Sequence, residues 1–164
     1  MQNPRGLAFA GILASLLALP TGVVAADDIA PRAGWAVYPS GYDYETLASR
    51  VRASVKTEGL AVVTRAGPTS AAKARGIDIP GNMVIGAFNN IFAVRILELS
   101  TAAMIEAPVR LYVTENTDGS ATVSYKLPSA VFAPYADEGG PALAEAAAEL
   151  DVIFEAIASS AAAP

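Results

Sequence analysis

Apolar and polar residues alternate strictly in two neighbouring stretches of this chain. Val109, Leu111 and Val113 are separated by Arg110 and Tyr112, and Ala121, Val123 and Tyr125 by Thr122 and Ser124. A period of two is that of a strand with one face buried. Asn116-Thr117-Asp118-Gly119-Ser120 lies between the two runs. A three-residue turn with Gly119 in the left-handed region pairs Val113 with Val123 and Leu111 with Tyr125. This register collects the apolar side chains on one face and Arg110, Tyr112, Ser124 and Lys126 on the other, as a stable register must.

Elsewhere the period lengthens. Leu47, Val51 and Val55 recur every four residues, with Arg50, Arg52, Lys56 and Glu58 largely on the other side. The spacing predicts an amphipathic helix that Asp43 caps and Gly59 ends. Short apolar runs at 35–38 and 60–64 read as strands on either side of it. Residues 66–82 are irregular, with a short helix within 69–75. Met83-Val84-Ile85-Gly86-Ala87-Phe88 reads as a buried strand. Asn89 and Asn90 then introduce a helix over 91–99 that is apolar almost all round, which predicts cover on most sides, from the sheet and another helix or from a second subunit. Arg95 is costly to bury there unpaired, and Glu98 three residues on is the expected partner. Residues 131–134 read as an apolar loop carrying Phe132 and Pro134, next to Tyr135. Glu138-Gly139-Gly140-Pro141 starts a last helix with an acidic outer face, expected to fray after Ser159.

The order of elements predicts an α+β fold. It is a two-layer α/β sandwich, mainly antiparallel, with helices packed on one face of the sheet. The division expected is a secretory signal peptide at 1–26, a flexible arm at 27–34, one domain at 35–160 and a disordered tail at 161–164. The signal is read from Arg5, the uncharged run at 7–19 and the small residues Ala25 and Ala26. It implies a periplasmic or secreted protein with no membrane span after cleavage.

The chain contains no Cys and no His among its 164 residues. That removes disulfides, thiolate nucleophiles, imidazole-ligated metals and a Ser-His-Asp triad. Eleven bases against sixteen acids give a net charge of −5, which is not the footprint of a nucleic-acid binder. No cofactor or metal is expected.

Several segments resemble the domain of unknown function 302 family. Gly41-Tyr42-Asp43-Tyr44-Glu45-Thr46-Leu47 is similar to its helix start, and Ile105-Glu106-Ala107-Pro108-Val109-Arg110 to its segment leading into a central strand. Thr114-Glu115-Asn116-Thr117-Asp118-Gly119 is similar to its acidic turn, and Ser124-Tyr125-Lys126-Leu127-Pro128 to its Tyr-x-x-Pro strand end. Before the middle helix many members carry Gly-Asn-Pro; here only Asn89 of Phe88-Asn89-Asn90 matches. The resemblance spans about 35–159. It implies a small α/β sandwich, often a homodimer, and no assigned activity.

The candidate chemistry is sparse. Glu115 and Asp118 are better read as turn residues than as a catalytic pair. Asp78, Asp137 and Glu138 lack a calcium-loop pattern. Ser70 and Lys73 have Ser-x-x-Lys spacing without its companion motifs. The residues selected for ligand or partner binding are Asn89, Asn90, Arg95, Arg110, Tyr112, Tyr125 and Lys126. No catalytic residue is assigned. The reading ranked first is an exported, non-catalytic binding or accessory protein, a homodimer with a small anionic or apolar ligand or an envelope protein as partner. Behind it stand a ligand pocket between sheet and helices, and an enzyme independent of His and Cys that uses Asn89, Arg95, Glu115 or Tyr125.

Overall fold

The computed structural model describes residues 27–164; the signal peptide expected at 1–26 lies outside them. Strands β1 (Trp35–Ser40), β2 (Ala61–Ala66), β3 (Asn82–Phe88), β4 (Val109–Glu115) and β5 (Ala121–Lys126) form one antiparallel sheet in the order β1-β5-β4-β3-β2. The helices are α1 (Tyr44–Thr57), α2 (Thr69–Lys73), α3 (Asn90–Leu99), α4 (Pro128–Phe132) and α5 (Ala136–Ala162), with 3-10 turns at Ala103–Glu106 and Ala133–Tyr135. The expected two-layer α+β sandwich is therefore present.

The hairpin has the register read from its alternation. Val113 faces Val123, Leu111 faces Tyr125, and Gly119 has φ 82°. Helix α1 is also built as its pattern predicts. The Asp43 carboxylate accepts from Thr46 N at 2.9 Å, and these bonds to the charged form hold its pKa below the ordinary carboxyl value. Leu47, Ala48, Val51 and Val55 are fully buried. At the other end Gly59 takes φ 76°, and Leu60 N closes the turn on Val55 O at 3.0 Å.

The core lies between the sheet and the two long helices. Ile85, Leu111, Val113, Val123 and Tyr125 meet Leu47, Val51, Leu143, Phe154 and Ile157, each large side chain contributing about 1.5–3 kcal/mol by leaving water. The other face of the sheet carries neither long helix.

Two local expectations are corrected. Residues 131–134 are not a loop: Pro128 starts α4, and Phe132 is buried against the core. The start expected for the last long helix is present: Gly140 is non-helical (φ 58°, ψ −155°) and Pro141 opens the long part of α5, preceded by a short helical lead from Ala136. The tail does not fray after Ser159. Helix α5 runs to Ala162 because Arg50 of α1 donates to the carbonyls of Ala161 (2.7 Å), Ser160 (3.1 Å) and Ala163 (2.8 Å), a cationic cap for the negative helix end. Residues 27–34 also make contacts: Asp28 accepts from Thr117 N at 2.8 Å, and Gly34 O accepts from Leu127 N at 2.9 Å.

Helix α3 departs most from its pattern. Of its residues Ile96 is buried, while Ile91, Val94 and Leu97 are 74, 56 and 47% exposed. It lies against α5 and the first 3-10 turn, and among the described residues no second layer covers the remaining stripe.

Candidate functional site

On the face opposite the long helices, strand pairing aligns side chains from all five strands. Trp35 lies opposite Lys126, and the hairpin register continued by one residue brings Arg110 beside Lys126. Gly86 follows opposite Arg110, and Thr64 opposite Gly86. A Cβ on Gly86 would lie 2.2 Å from Thr64 Oγ1 and 2.8 Å from Pro108 Cγ, so Pro108 packs directly over that position. The next rung runs Val37, Ser124, Tyr112, Val84 and Ala66. The third runs Pro39, Thr122, Thr114 and Asn82.

Part of this face floors a groove of about 380 Å³. Trp35, Val84, Arg110, Tyr112 and Lys126 line it, and Glu106 and Val131 complete it near the open end of the hairpin. Its volume falls at the small end of the range for ligand sites. The Lys126 ammonium lies 6.0 Å from the Trp35 ring centroid, and the Arg32 guanidinium 5.2 Å from the same ring, within cation–π reach. Tyr112 is oriented by the Asn82 side-chain amide, which donates to its hydroxyl. Glu106 stands 3.8 Å from Arg110 and accepts from the Tyr135 hydroxyl at 2.9 Å. That bond holds the Tyr135 proton and raises the phenol pKa. Lys126 has no carboxylate partner among the described residues. The hydroxyls of Ser124 and Thr114, on the same face, are buried without a hydrogen-bond partner among them.

The seven residues selected from the sequence separate into two groups. Arg110, Tyr112 and Lys126 converge on the groove. Asn89, Arg95 and Tyr125 make contacts within the fold. Asn89 caps α3, its side-chain oxygen accepting from Ile91 N (2.9 Å) and Phe92 N (3.2 Å) and its amide donating to Gly59 O (3.1 Å). Asn90 is the exposed first residue of that helix. Arg95 pairs not with Glu98 but with Glu149 of α5, at 2.9 and 2.8 Å to its two oxygens. The Tyr125 side chain belongs to the core, 5.5 Å from the Phe154 ring and 6.3 Å from Tyr38, and burial raises its pKa. Only an edge of the residue reaches the groove.

The turn reading holds for Asp118, whereas Glu115 is the last residue of β4. Glu115 accepts from Gly81 N at 2.6 Å, and Asp118 accepts from the Ser120 backbone at 2.9 Å and its hydroxyl at 2.6 Å, which lowers the Asp118 pKa. Asn89 and Glu115 lie at opposite ends of the sheet, so the four residues of the enzymatic alternative do not meet. Between sheet and helices, the cavity bordered by Leu60, Phe92, Ile96, Phe132 and Phe154 measures about 30 Å³. That is the space of about one water, against about 380 Å³ for the groove on the outer face. Trp35, Glu106 and Val84 escaped the sequence reading because they enter the groove through strand order and a chain reversal. The local signal available was the single Trp of the chain at the start of a strand.

The sequence profile described as "Domain of unknown function DUF302" matches residues 37–159. The chain belongs to the DUF302 family. The crystal structure of an uncharacterized conserved DUF302 protein from Bacillus stearothermophilus has the same fold, with a TM-score of 0.70 and 19% identity over 79% of this chain and 99% of that one. No functionally curated protein matches. The profile covers β1 from its third residue to the last turns of α5, and with them nearly all of the DUF302 sheet that floors the groove.

Proposed function

We propose that this DUF302 protein is an exported, non-catalytic binding or accessory protein that holds a small ligand on the helix-free face of its sheet. The observation that carries the reading is the convergence of Arg110, Lys126, Trp35 and Tyr112 on one groove. Apolar walls with a few placed polar groups are the usual composition of a ligand site. Export rests on the charge, apolar run and small residues of the N-terminal 26 residues.

The test is native mass spectrometry of the protein purified from its own source. A non-covalent small-molecule adduct is expected, and it is lost from an Arg110→Glu, Tyr112→Ala variant that melts like the parent. Bare protein together with flat melting temperatures across a metabolite panel overturns the binding reading. Proteolytic N-terminal sequencing of the exported form checks the cleavage, expected after Ala25 or Ala26.

The exposed stripe of Ile91, Val94 and Leu97 on α3 favours a homodimer, since apolar patches left open by the protomer mark association surfaces. Light scattering at micromolar concentration is expected to give twice the monomer mass, and Val94→Glu to halve it. A monomer under both conditions removes the dimer.

A further inference from the structure

Two cations stand side by side in the groove. Arg110 and Lys126 occupy neighbouring positions on adjacent strands of the same face. Like charges directly opposite one another in a sheet are destabilising. The one acid in the lining, Glu106, is already shared between Arg110 and the Tyr135 hydroxyl. A third cation, Arg32, lies over the neighbouring Trp35 ring. In a chain whose acids outnumber its bases by sixteen to eleven, this cluster is a local reversal of sign. An anion placed between the two heads relieves their repulsion and receives charge-assisted hydrogen bonds from both.

The walls restrict which anion. Trp35 and Tyr112 present aromatic rings, and Val84 and Val131 present aliphatic groups. Removing a compact dianion such as phosphate from water against such walls is costly. A carboxylate carried on a flat ring divides its surface as the groove does, charge toward Arg110 and Lys126 and a π face toward the aromatic rings. Building on the binding function proposed above, we infer that the groove takes small planar carboxylates, with benzoate-like molecules as the simplest representatives.

The single tryptophan of the chain makes the test direct, because its indole N–H gives one resolvable resonance at the groove wall. The isotope-labelled protein is titrated in turn with benzoate, benzamide, cyclohexanecarboxylate and inorganic phosphate. Benzoate is expected to move the Trp35 resonance and to bind at least about tenfold more tightly than neutral, isosteric benzamide, the difference a charge-assisted contact supplies. Cyclohexanecarboxylate is expected to bind more weakly than benzoate by several fold. In an Arg110→Gln, Lys126→Gln variant with an otherwise unchanged spectrum, the preference for benzoate over benzamide disappears.

Equal binding of benzoate and benzamide, or of benzoate and cyclohexanecarboxylate, overturns the inference while leaving a ligand-binding groove in place. Tighter binding of phosphate than of benzoate overturns it in the same way. A Trp35 resonance unmoved by all four probes overturns it as well. The adduct experiment above decides separately whether the groove binds anything.

Discussion

Replacing Arg50 by Ala removes the contact that ties the chain terminus to the first helix. The guanidinium makes three hydrogen bonds to the free carbonyls of the last turn of α5, one half-sheltered at 2.7 Å and two exposed at 2.8 and 3.1 Å. A sheltered bond from a charged donor contributes about 1.5 kcal/mol at the low end of its range, and the exposed pair a few tenths each. Stacking on the Tyr42 ring, 4.4 Å from the guanidinium carbon, adds about 0.5 kcal/mol at an exposed site. The loss expected for Arg50→Ala is therefore about 2.5 kcal/mol, or roughly 8–12 °C in melting temperature for a domain of this size. Arg50→Lys keeps the charge but not the fork, and retains less than half of the contribution. Urea unfolding gives the energies, and hydrogen exchange at residues 160–163 localises them. Unchanged stability in Arg50→Ala, with protection of those amides intact, refutes the assignment of the last turn to this clasp.

Asn89→Ala removes the side-chain acceptor for Ile91 N and Phe92 N and is expected to cost about 1 kcal/mol, with faster exchange at those two amides; unchanged exchange refutes the cap. Ser124→Ala deletes a buried hydroxyl with no partner among the described residues and is expected to leave stability level or raise it by up to about 1 kcal/mol, whereas a clear loss in urea melts shows the hydroxyl to be satisfied. Asp43 and Asp118 both have pKa values below the ordinary 3.8, so the unfolded chain binds more protons than the native one in acid. Their stabilisation is complete above the ordinary carboxyl range and fades as pH falls through the lowered native values. An Asp43→Asn, Asp118→Asn variant is thus expected to lose less stability than the parent between pH 5 and pH 3 in urea titrations, and an equal loss contradicts it.

Where an interaction is local, the amino-acid pattern was sufficient. The alternation at 109–126 gave the register of β4 and β5, and the four-residue spacing of Leu47, Val51 and Val55 gave the buried face of α1. The groove was half legible for the same reason. Arg110, Tyr112 and Lys126 share a face by the period of the strand alone. Trp35 joins them because β1 pairs with β5 across some ninety residues of chain, and no local pattern encodes that choice. The period also placed Tyr125 on the apolar face, and its selection as a binding residue ran against that signal. For helix α3 the pattern left two covers open, the sheet with another helix or a second subunit. Composition reports how apolar a helix is, but not how much of it the fold covers, and the stripe of Ile91, Val94 and Leu97 remains outside. Arg95 found Glu149 and not Glu98 because α5, distant in sequence, lies against that side of α3.

The sheet order carries a consequence for how the chain is made. Among the described residues β1 is the first strand to be made, and its sole neighbour in the sheet is β5. Between the last residue of β1, Ser40, and the last residue of β5, Lys126, translation at about 5–20 residues per second occupies roughly 4–17 s. Throughout that interval the strand that carries Trp35 has no partner in the sheet. The ligand surface is consequently the last part of the sheet to assemble, and β4 stands as an open edge only while the chain from Glu115 to Lys126 is added, about 0.5–2 s at the same rate.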